Sequence, residues 1–392
     1  MIHLFFNAWA ASAGAGLTYL RNIVPEISLR NDVRATIAVT PALRCEFREI
    51  PNVEFIELEA PGVPWRFWKE QTELPKMVRH AKADVLISTG NFAVRNSPVP
   101  QILLSGNSLY TSDDFYRDVW ARHDFRAWID TRIKAIFARR SVSWADVTVA
   151  PSKAFADVLQ QWTGQAVTSI YHGFNKNKFF QSSAPLPVDT LEKINIADGA
   201  LKLLFVSHYN YYRNFETLLR AVPLFRDRIS GRKVKIFLTC KLNSGENPGS
   251  YRAEAASRLL QELDISDNVI ELGAIPYHQL HHLYRSVDIY ITPAYAETFA
   301  HPLVEAMACG LPIVASDTPV HREICKGSAV FFGRFSPSGL AEQVVKVALS
   351  QDLADELKAS GQKRSEDFSW QEHLNKVTAI AQALCCHKNK ES

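Results

Sequence analysis

Two glutamates separated by seven residues, Glu297 and Glu305, have the side-chain types and the spacing for ligand chemistry in this 392-residue sequence. Glu297 lies in a predicted loop, and Glu305 lies in the first turns of a short apolar helix. Pro302 fits the start of that helix, where its missing N–H is no loss, and Gly310 fits the position just past its end. Backbone N–H groups of residues 299–303 are then expected to face an anion. Such a site suits a ligand that carries both hydroxyls and phosphates.

A purely structural explanation of the same carboxylates stays open. Glu305 can act as a favourable charge near a helix N-terminus, and Glu297 can be a solvated loop residue. The complete string favours function, because it resembles the E-x7-E signature of the family four retaining glycosyltransferases, E-[SG]-F-G-x-P-x-x-E-A-M-A-x-G-x-P-V-[VI]-A-[ST]. The matching positions are Glu297, Phe299, Pro302, Glu305, Ala306, Met307, Ala308, Gly310, Pro312, Ile313, Val314 and Ala315.

Length and composition narrow the class of protein. A chain of 392 residues predicts two to three domains, and a net charge of +3 is too mild to indicate nucleic acid. The 6 cysteines have no disulfide-framework or metal-site spacing, so free thiols and a reducing, cytoplasmic compartment are expected. No stretch is apolar for the length of a transmembrane helix. Any membrane contact is therefore expected to be peripheral, at the inner membrane face.

Short apolar runs alternate with amphipathic segments along the whole chain, which predicts parallel α/β construction. A polar, proline-bearing stretch at residues 174–200 is the expected linker. The resemblance implies the GT-B fold, with two doubly wound Rossmann-like domains facing a central cleft. We expect an acceptor-side domain over residues 1–173 and a donor domain over 174–369. Residues 370–392 are expected to form a helix that crosses back to the first domain, followed by a polar tail.

The segment from Leu203 to Ala221 is similar to the family's strand–G-R-x-x-x-x-K-[GN]–helix segment, in which two cations hold the donor diphosphate. Arg213 falls on the lysine of that pattern and can bond a phosphate bidentately. His208 falls on the arginine, which reduces the charge at that position. Three tyrosines lie beside these residues, at positions 209, 211 and 212. They can stack on a base or sugar, but core packing is the stronger expectation for at least one of them.

The segment from Glu271 to Glu297 resembles a further part of the family pattern, in which the backbone around Ala274 and Ile275 holds the nucleobase. Three histidines in it, at positions 278, 281 and 282, are expected to be neutral surface residues on a helix. No carboxylate or cysteine completes a metal-ligand set with them.

The N-terminal half resembles the family only loosely. Gly14 and Gly16 follow the first predicted strand, where glycines allow close approach to a phosphate. Tight packing of a helix on the strand explains them equally well. Asn107 stands where many relatives have a histidine near the reacting sugar, and is the acceptor-side candidate. Basic residues with aromatic neighbours mark the predicted helix 125–140, which suits an anionic membrane surface, a charged acceptor or simply solvent.

The resemblance implies a retaining glycosyltransferase that moves a sugar from a nucleotide-diphosphate sugar to a glycan, lipid-linked or small-molecule acceptor. It implies that Glu297 holds a donor-sugar hydroxyl and that Glu305 accepts from both ribose hydroxyls. Arg213 would stabilise the departing diphosphate, with no metal and no other cofactor. The donor contacts would be completed by backbone or side chains of Phe299, Ala300, His301, Leu303, Ala274, Ile275, His208, Gly14 and Gly16. A non-hydrolysing nucleotide-sugar epimerase and a catalytically silent nucleotide-binding protein of the same fold are the alternatives.

Overall fold

The computed structural model of the chain describes residues 1–11, 14–59, 62–229, 231–243, 245–247 and 251–391. Within these residues, two sheets are formed from parallel strands only. In chain order the strands are β1 (Ile2–Asn7), β2 (Val33–Val39), β3 (Val53–Glu57), β4 (Val85–Ser88), β5 (Gln101–Leu104), β6 (Val147–Ala150), β7 (Val167–Ser169), β8 (Leu201–Phe205), β9 (Val234–Leu238), β10 (Val269–Glu271), β11 (Ile289–Thr292), β12 (Ile313–Ser316) and β13 (Val330–Phe332).

Helices connect these strands. They are α1 (Gly14–Ser28), α2 (Pro41–Arg44), α3 (Val63–Thr72), α4 (Leu74–His80), α5 (Asp113–Ala121), α6 (Phe125–Trp144), α7 (Lys153–Thr163), α8 (Lys176–Phe180), α9 (Val188–Ile196), α10 (Phe215–Arg226), α11 (Glu254–Glu262), α12 (Leu280–Arg285), α13 (His301–Ala308), α14 (Pro319–Cys325), α15 (Pro337–Leu349), α16 (Gln351–Ser365) and α17 (Trp370–Glu391).

The chain divides into two compact units. Unit 1 contains residues 1–112, 124–173 and 368–392, and unit 2 contains residues 113–123 and 174–367. The sequence assigns residues 113–123 to the first domain, whereas the structure groups this segment, which contains α5, with unit 2. Ion pairs explain the difference, because Arg122 bonds Glu216 at 2.8 Å and Asp114 bonds Arg334 at 2.8 Å.

Unit 1 has a seven-stranded sheet in the order β3-β2-β1-β4-β5-β6-β7. Its strand residues are almost wholly buried on both faces near the centre, as in β1, because helices cover both sides of a parallel sheet. A core of unit 1 joins β1, α1 and α17, and it includes Trp370, Leu374 and Val377 of α17. Gly173 permits a close approach here, since a Cβ at this residue would lie 2.1 Å from the backbone nitrogen of Trp370.

Unit 2 has a six-stranded sheet in the order β10-β9-β8-β11-β12-β13. The chain proceeds from β8 outward to β10 on one side, and then returns to β11 and proceeds outward on the other. The direction of winding therefore reverses between β8 and β11. In doubly wound sheets a crevice opens at this switch point, outside the carboxyl ends of the strands, and ligands bind there.

The predicted linker at residues 174–200 contains two short helices, α8 and α9. Asn175 caps the first, because its Oδ1 accepts from the Lys178 N–H at 2.9 Å. Thr190 and Ile194 anchor the second in the core. Residues 63–80 form two successive helices, α3 and α4, with Pro75 in the first turn of the second.

Across the described ranges, every helix is too short or too polar to span a bilayer.

Candidate functional site

The switch point of unit 2 brings Arg213 and Glu297 together. Arg213 follows β8 and Glu297 follows β11, and these strands are neighbours in the sheet. The guanidinium Nη1 of Arg213 donates to Oε1 of Glu297 in a part-buried ion pair. Two residues that the sequence selected separately are thus in direct contact at the edge where ligands of this fold bind.

Backbone conformation and side-chain caps hold the loop that carries Arg213. Asn210 Oδ1 accepts from the Arg213 N–H at 3.2 Å. Asn214 has a left-handed backbone conformation, with φ of +56°, and its Nδ2 donates to the carbonyls of Pro293 and Arg334. The Tyr295 N–H donates to the Tyr212 carbonyl at 3.0 Å. The loops after β8 and β11 are therefore bonded to each other, which fixes the position of the ion pair.

Arg213 retains bonding capacity beyond that pair. Its Nε is buried and has no hydrogen-bond partner within the described residues. Its guanidinium lies over the ring of Tyr212, 5.1 Å from the centroid, which orients the planar group. An anion that displaced the Glu297 carboxylate would meet an oriented guanidinium with several donors.

His208 is exposed on the same loop. Burial of part of its ring, and then the positive charge of Arg213, lower its pKa below the ordinary value for histidine. The imidazole is consequently neutral at neutral pH. The structure therefore gives this position less charge than an arginine would supply.

Glu305 is 5% exposed and lies in α13. The hydroxyl of Tyr284 donates to its Oε2 at 2.9 Å. Burial raises the pKa of Glu305 to about 7, and the bond from Tyr284 opposes this rise. The sequence segment quoted for the resemblance contains Tyr284, but sequence reasoning gave it no role. A carboxylate with one oxygen already occupied can still accept from a ligand with the other.

The N-terminus of α13 differs in one respect from the sequence expectation. Ala300 has φ of +63°, and its carbonyl accepts from the Leu303 N–H at 3.0 Å. The Leu303 N–H is therefore engaged within the turn, and the expectation that it faces a ligand is wrong for this conformation. Pro302 contributes no N–H. The predicted C-terminal stop is confirmed, since Gly310 directly follows the C-cap with φ of +70°.

His301 begins α13, and its ring lies 4.8 Å from that of Phe299 in an edge-on arrangement. Burial lowers the pKa of His301 to about 4, so the side chain is neutral at physiological pH. The loop after β11 leads directly into α13, so the first residue of this helix lies at the same edge of the sheet as Glu297.

Ala274 and Ile275 follow β10, whose carboxyl end lies at the same edge of the parallel sheet as those of β8 and β11. The next residue but one, Tyr277, lies near Glu305: burial first, and the Glu305 carboxylate second, raise the pKa of this tyrosine. The turn after β10 thus approaches α13, where sequence reasoning had not placed a tyrosine.

Sequence reasoning missed a buried polar network beside the Arg213 loop. Glu216 Oε1 accepts from Arg122 at 2.8 Å and from the Tyr209 hydroxyl at 2.8 Å. Asp118 accepts from Arg122 at 2.7 Å and from the Tyr295 hydroxyl at 2.8 Å. Tyr209 is fully buried, as is Tyr211, which confirms core packing for two of the three neighbouring tyrosines. The amphipathic residues of α5, Phe115, Tyr116 and Val119, were the signal that this segment packs as a helix.

The candidates of unit 1 have structural contacts of their own. Gly14 and Gly16 lie in the first turn of α1, and a Cβ at Gly16 would lie 3.2 Å from that of Ala11. Close packing thus accounts for Gly16. Asn107 caps a short 3₁₀ turn, with its Oδ1 accepting from the Leu109 N–H at 3.0 Å.

One of the three histidines expected at the surface is buried. His281 is 1% exposed, and its ring contacts those of Phe179 and Phe180. α12 presents this position inward because Leu280 and Tyr284 lie on the same face. In the part of the chain that the structure describes, no group of three or more His, Cys, Asp or Glu side chains is placed to hold a metal ion.

Residues 189–364 match the family model described as Glycosyl transferases group 1. This segment of the chain is therefore similar to the group 1 glycosyltransferases. The matched segment carries Arg213, Glu297 and Glu305, so these three residues of the switch-point site all lie inside it. The resemblance to glycosyltransferases that the sequence suggested is confirmed at the level of group 1 for this segment.

Curated relatives resemble the same region. The chain is 32% identical over 170 residues to a D-inositol 3-phosphate glycosyltransferase of Corynebacterium jeikeium, a match that covers 43% of this chain and 40% of the relative. It is 24% identical over 254 residues to the enzyme of that name from Thermobifida fusca, covering 61% and 55% respectively. The chain thus spans about half of the length of these relatives.

Solved structures extend the likeness beyond the segment that matches the family model. A sucrose-phosphate synthase from Thermosynechococcus elongatus aligns with a TM-score of 0.73 at 16% identity, covering 98% of this chain and 100% of that one. Anabaena Alr3699/HepE in complex with UDP-glucose aligns with a TM-score of 0.73 at 17% identity, with the same coverage. The α/β fold of two doubly wound, Rossmann-like domains expected for GT-B proteins is confirmed.

Proposed function

We propose that the protein is a glycosyltransferase that moves a sugar from a nucleotide-diphosphate sugar to an acceptor hydroxyl. The observation that carries the proposal is the contact between Arg213 and Glu297 at the switch point, inside the segment that matches the family model. A cation for the diphosphate and a carboxylate for a sugar hydroxyl are needed side by side at the donor, and this pair supplies both. Alr3699/HepE, whose fold is similar, was solved in complex with UDP-glucose. This supports a nucleotide-sugar donor for the present chain.

In the proposed complex, Arg213 binds the diphosphate and Glu297 accepts from a hydroxyl of the transferred sugar. The ligand thereby replaces the bond that these two side chains make with each other. Glu305 accepts from the ribose hydroxyls with the oxygen that Tyr284 leaves available. The sugar–diphosphate bond breaks, the acceptor oxygen bonds the anomeric carbon, and the acceptor proton passes to the departing diphosphate.

The reaction is proposed to retain the anomeric configuration and to need no metal ion. Fixed donors aimed at the charge that develops on the diphosphate stabilise the transition state electrostatically. Arg213 is the main such group, because its Nε is unengaged by the described residues. The neutral imidazoles of His208 and His301 supply hydrogen bonds without adding charge.

The test begins with a thermal-shift panel of nucleotide sugars on the full chain. A donor at 100 times its dissociation constant adds about 2.7 kcal/mol of stability. The donor found in this way is then used with Arg213→Ala, for which we expect turnover to fall roughly 10²–10³-fold. Arg220→Ala, an exposed arginine on α10, is the matched control.

Product analysis separates the alternatives. A transferase releases nucleoside diphosphate and slowly passes the sugar to water, whereas an epimerase converts the nucleotide sugar without releasing the diphosphate. Proton spectra of the product give its anomeric configuration. Near-wild-type turnover of the Arg213 variant, or epimer formation without acceptor, would overturn the proposal.

A further inference from the structure

Helix α6 of unit 1 has large apolar residues on the side that faces solvent. Phe125, Ile129, Ile133 and Ile136 are each about half exposed. Their spacing of four, four and three residues places them on one side of a helix. The buried side carries only smaller residues, Thr131, Ala135, Ala138, Ser141 and Val142. A surface helix of a globular protein normally has the opposite arrangement.

A second exposed apolar group stands on α3 of the same unit. Trp65 and Trp68 are about half exposed, and their rings stack at 4.8 Å with an interplanar angle of 14°. α3 packs on α6, since the rings of Phe67 and Phe137 lie 5.1 Å apart. The two exposed groups therefore belong to adjacent helices, and together we call them the α3–α6 face.

Positive charge borders this face. α6 contains Arg126, Arg132, Lys134, Arg139 and Arg140 against the single acid Asp130, a net charge of +4 (five minus one). The whole chain has a net charge of +3, so the remainder has −1. Arg126, Arg132 and Arg139 lie at the margins of the apolar stripe on a helical projection, and Arg140 lies on the stripe itself. Lys134 turns away from it and pairs with Asp130 at 2.6 Å.

We propose that the α3–α6 face docks on the surface of an anionic lipid bilayer. A helix that lies in the membrane interface has an apolar side with arginine and lysine at its margins. Tryptophan rings favour the boundary between headgroups and acyl chains. Anionic lipids complement the net charge of α6, whereas a second copy of the chain would bring two positive helices together. The proposal is independent of the glycosyltransferase activity.

Vesicle sedimentation with the full chain tests the proposal. We expect binding to vesicles of phosphatidylcholine with 30% phosphatidylglycerol, and at least tenfold weaker binding to phosphatidylcholine alone. Ile129→Ser/Ile133→Ser/Ile136→Ser should weaken binding to the anionic vesicles at least tenfold. The control Ile196→Ser/Leu349→Ser removes exposed apolar side chains from unit 2 and should bind like wild type.

The charge contribution is tested separately. Arg126→Gln/Arg140→Gln should weaken binding to the anionic vesicles roughly tenfold to thirtyfold, since each basic residue near such a surface contributes about 1 kcal/mol. It should leave binding to phosphatidylcholine unchanged. The control Arg228→Gln/Lys363→Gln removes two exposed charges elsewhere. Thermal melts confirm that each variant is folded.

Several outcomes would overturn the proposal. These are no sedimentation with either vesicle at 1 mM lipid, equal binding to both compositions, or unchanged binding of the triple serine variant. Sedimentation velocity without lipid can give another outcome that overturns the proposal. A wild-type dimer that the serine substitutions convert to monomer would show that a second copy occupies the face.

Discussion

At the scale of single residues, Glu305 is the most consequential group, since a buried carboxyl titrates close to neutrality. Its pKa in the folded protein is about 7, raised by burial from an ordinary value near 4.5. Between pH 4.5 and pH 7, the folded state therefore keeps a proton on Glu305 that the unfolded state has already released. Titration of Glu305 consequently lowers the free energy of unfolding as pH rises from 4.5 to 7. The full destabilisation is present above pH 7.

Glu305→Gln keeps the shape of the side chain and removes the charge. We expect it to leave stability unchanged below pH 4.5 and to raise it at pH 8, by a gain on the order of 3 kcal/mol. Urea unfolding at the two pH values measures this gain. Glu342→Gln, an exposed glutamate on α15, is the control. An equal effect of Glu305→Gln at both pH values would contradict the assigned titration.

The ion pair of Arg213 and Glu297 gives a second prediction, with opposite effects on binding and turnover. Glu297→Gln removes the carboxylate that competes for Arg213, so free nucleoside diphosphate should bind up to about fivefold more tightly. Turnover should fall, because the proposed sugar contact is lost. Isothermal titration with UDP and a donor assay measure the two effects. Weaker UDP binding in this variant would show that the two side chains do not compete in this way.

At the scale of elements, the turn into α13 stores strain at Ala300. An L-residue in the left-handed region costs about 1–2 kcal/mol, and glycine adopts it without that cost. Glycine loses about 0.5–1 kcal/mol more in conformational entropy. Ala300→Gly should therefore stabilise the protein by up to about 1.5 kcal/mol net, and a raised thermal midpoint would confirm this. A lowered midpoint would show that the Ala300 methyl contributes packing that outweighs the strain.

The strands could be predicted from the sequence because each is a short apolar run buried on both faces of a parallel sheet. The site residues Arg213, Glu297 and Glu305 could be found because they lie in local motifs. The tertiary contacts around the site could not be predicted from the sequence. The bond from Tyr284 to Glu305 joins two helices, and α5 joins unit 2 through Arg122. Such contacts depend on tertiary packing, which a local pattern does not encode.

At the scale of the whole molecule, neutral buried histidines in both units set the response to acid. Burial lowers the pKa of His301 and His321 in unit 2, and of His373 in unit 1, to about 4. The unfolded state binds more protons than the folded state between pH 4 and 6.5. The stability that these neutral histidines contribute is therefore fully present above pH 6.5, and it is lost as pH falls toward 4.

This gives a prediction that thermal midpoints measured from pH 7 to pH 4 will fall steeply. His373 bonds the Tyr171 carbonyl at 2.8 Å and lies 3.2 Å from the Tyr19 hydroxyl. His373→Asn should lower the midpoint at pH 7 and flatten its dependence on pH. His80→Asn, on α4 at the surface, is the control. A pH slope identical to wild type would assign the acid response to other groups.

The last helix of unit 1 has a consequence for the order in which the protein is made. The chain leaves unit 1 after Gly173 and returns to it only at Phe368. A ribosome that adds about 5–20 residues per second needs about 10–40 s to travel from Gly173 to Trp370. During that interval the nascent unit 1 exposes the apolar surface of β1 and α1 that α17 later covers. The first half of the polypeptide to emerge is thus the last to be finished, and a chain released before Trp370 would present that surface to chaperones.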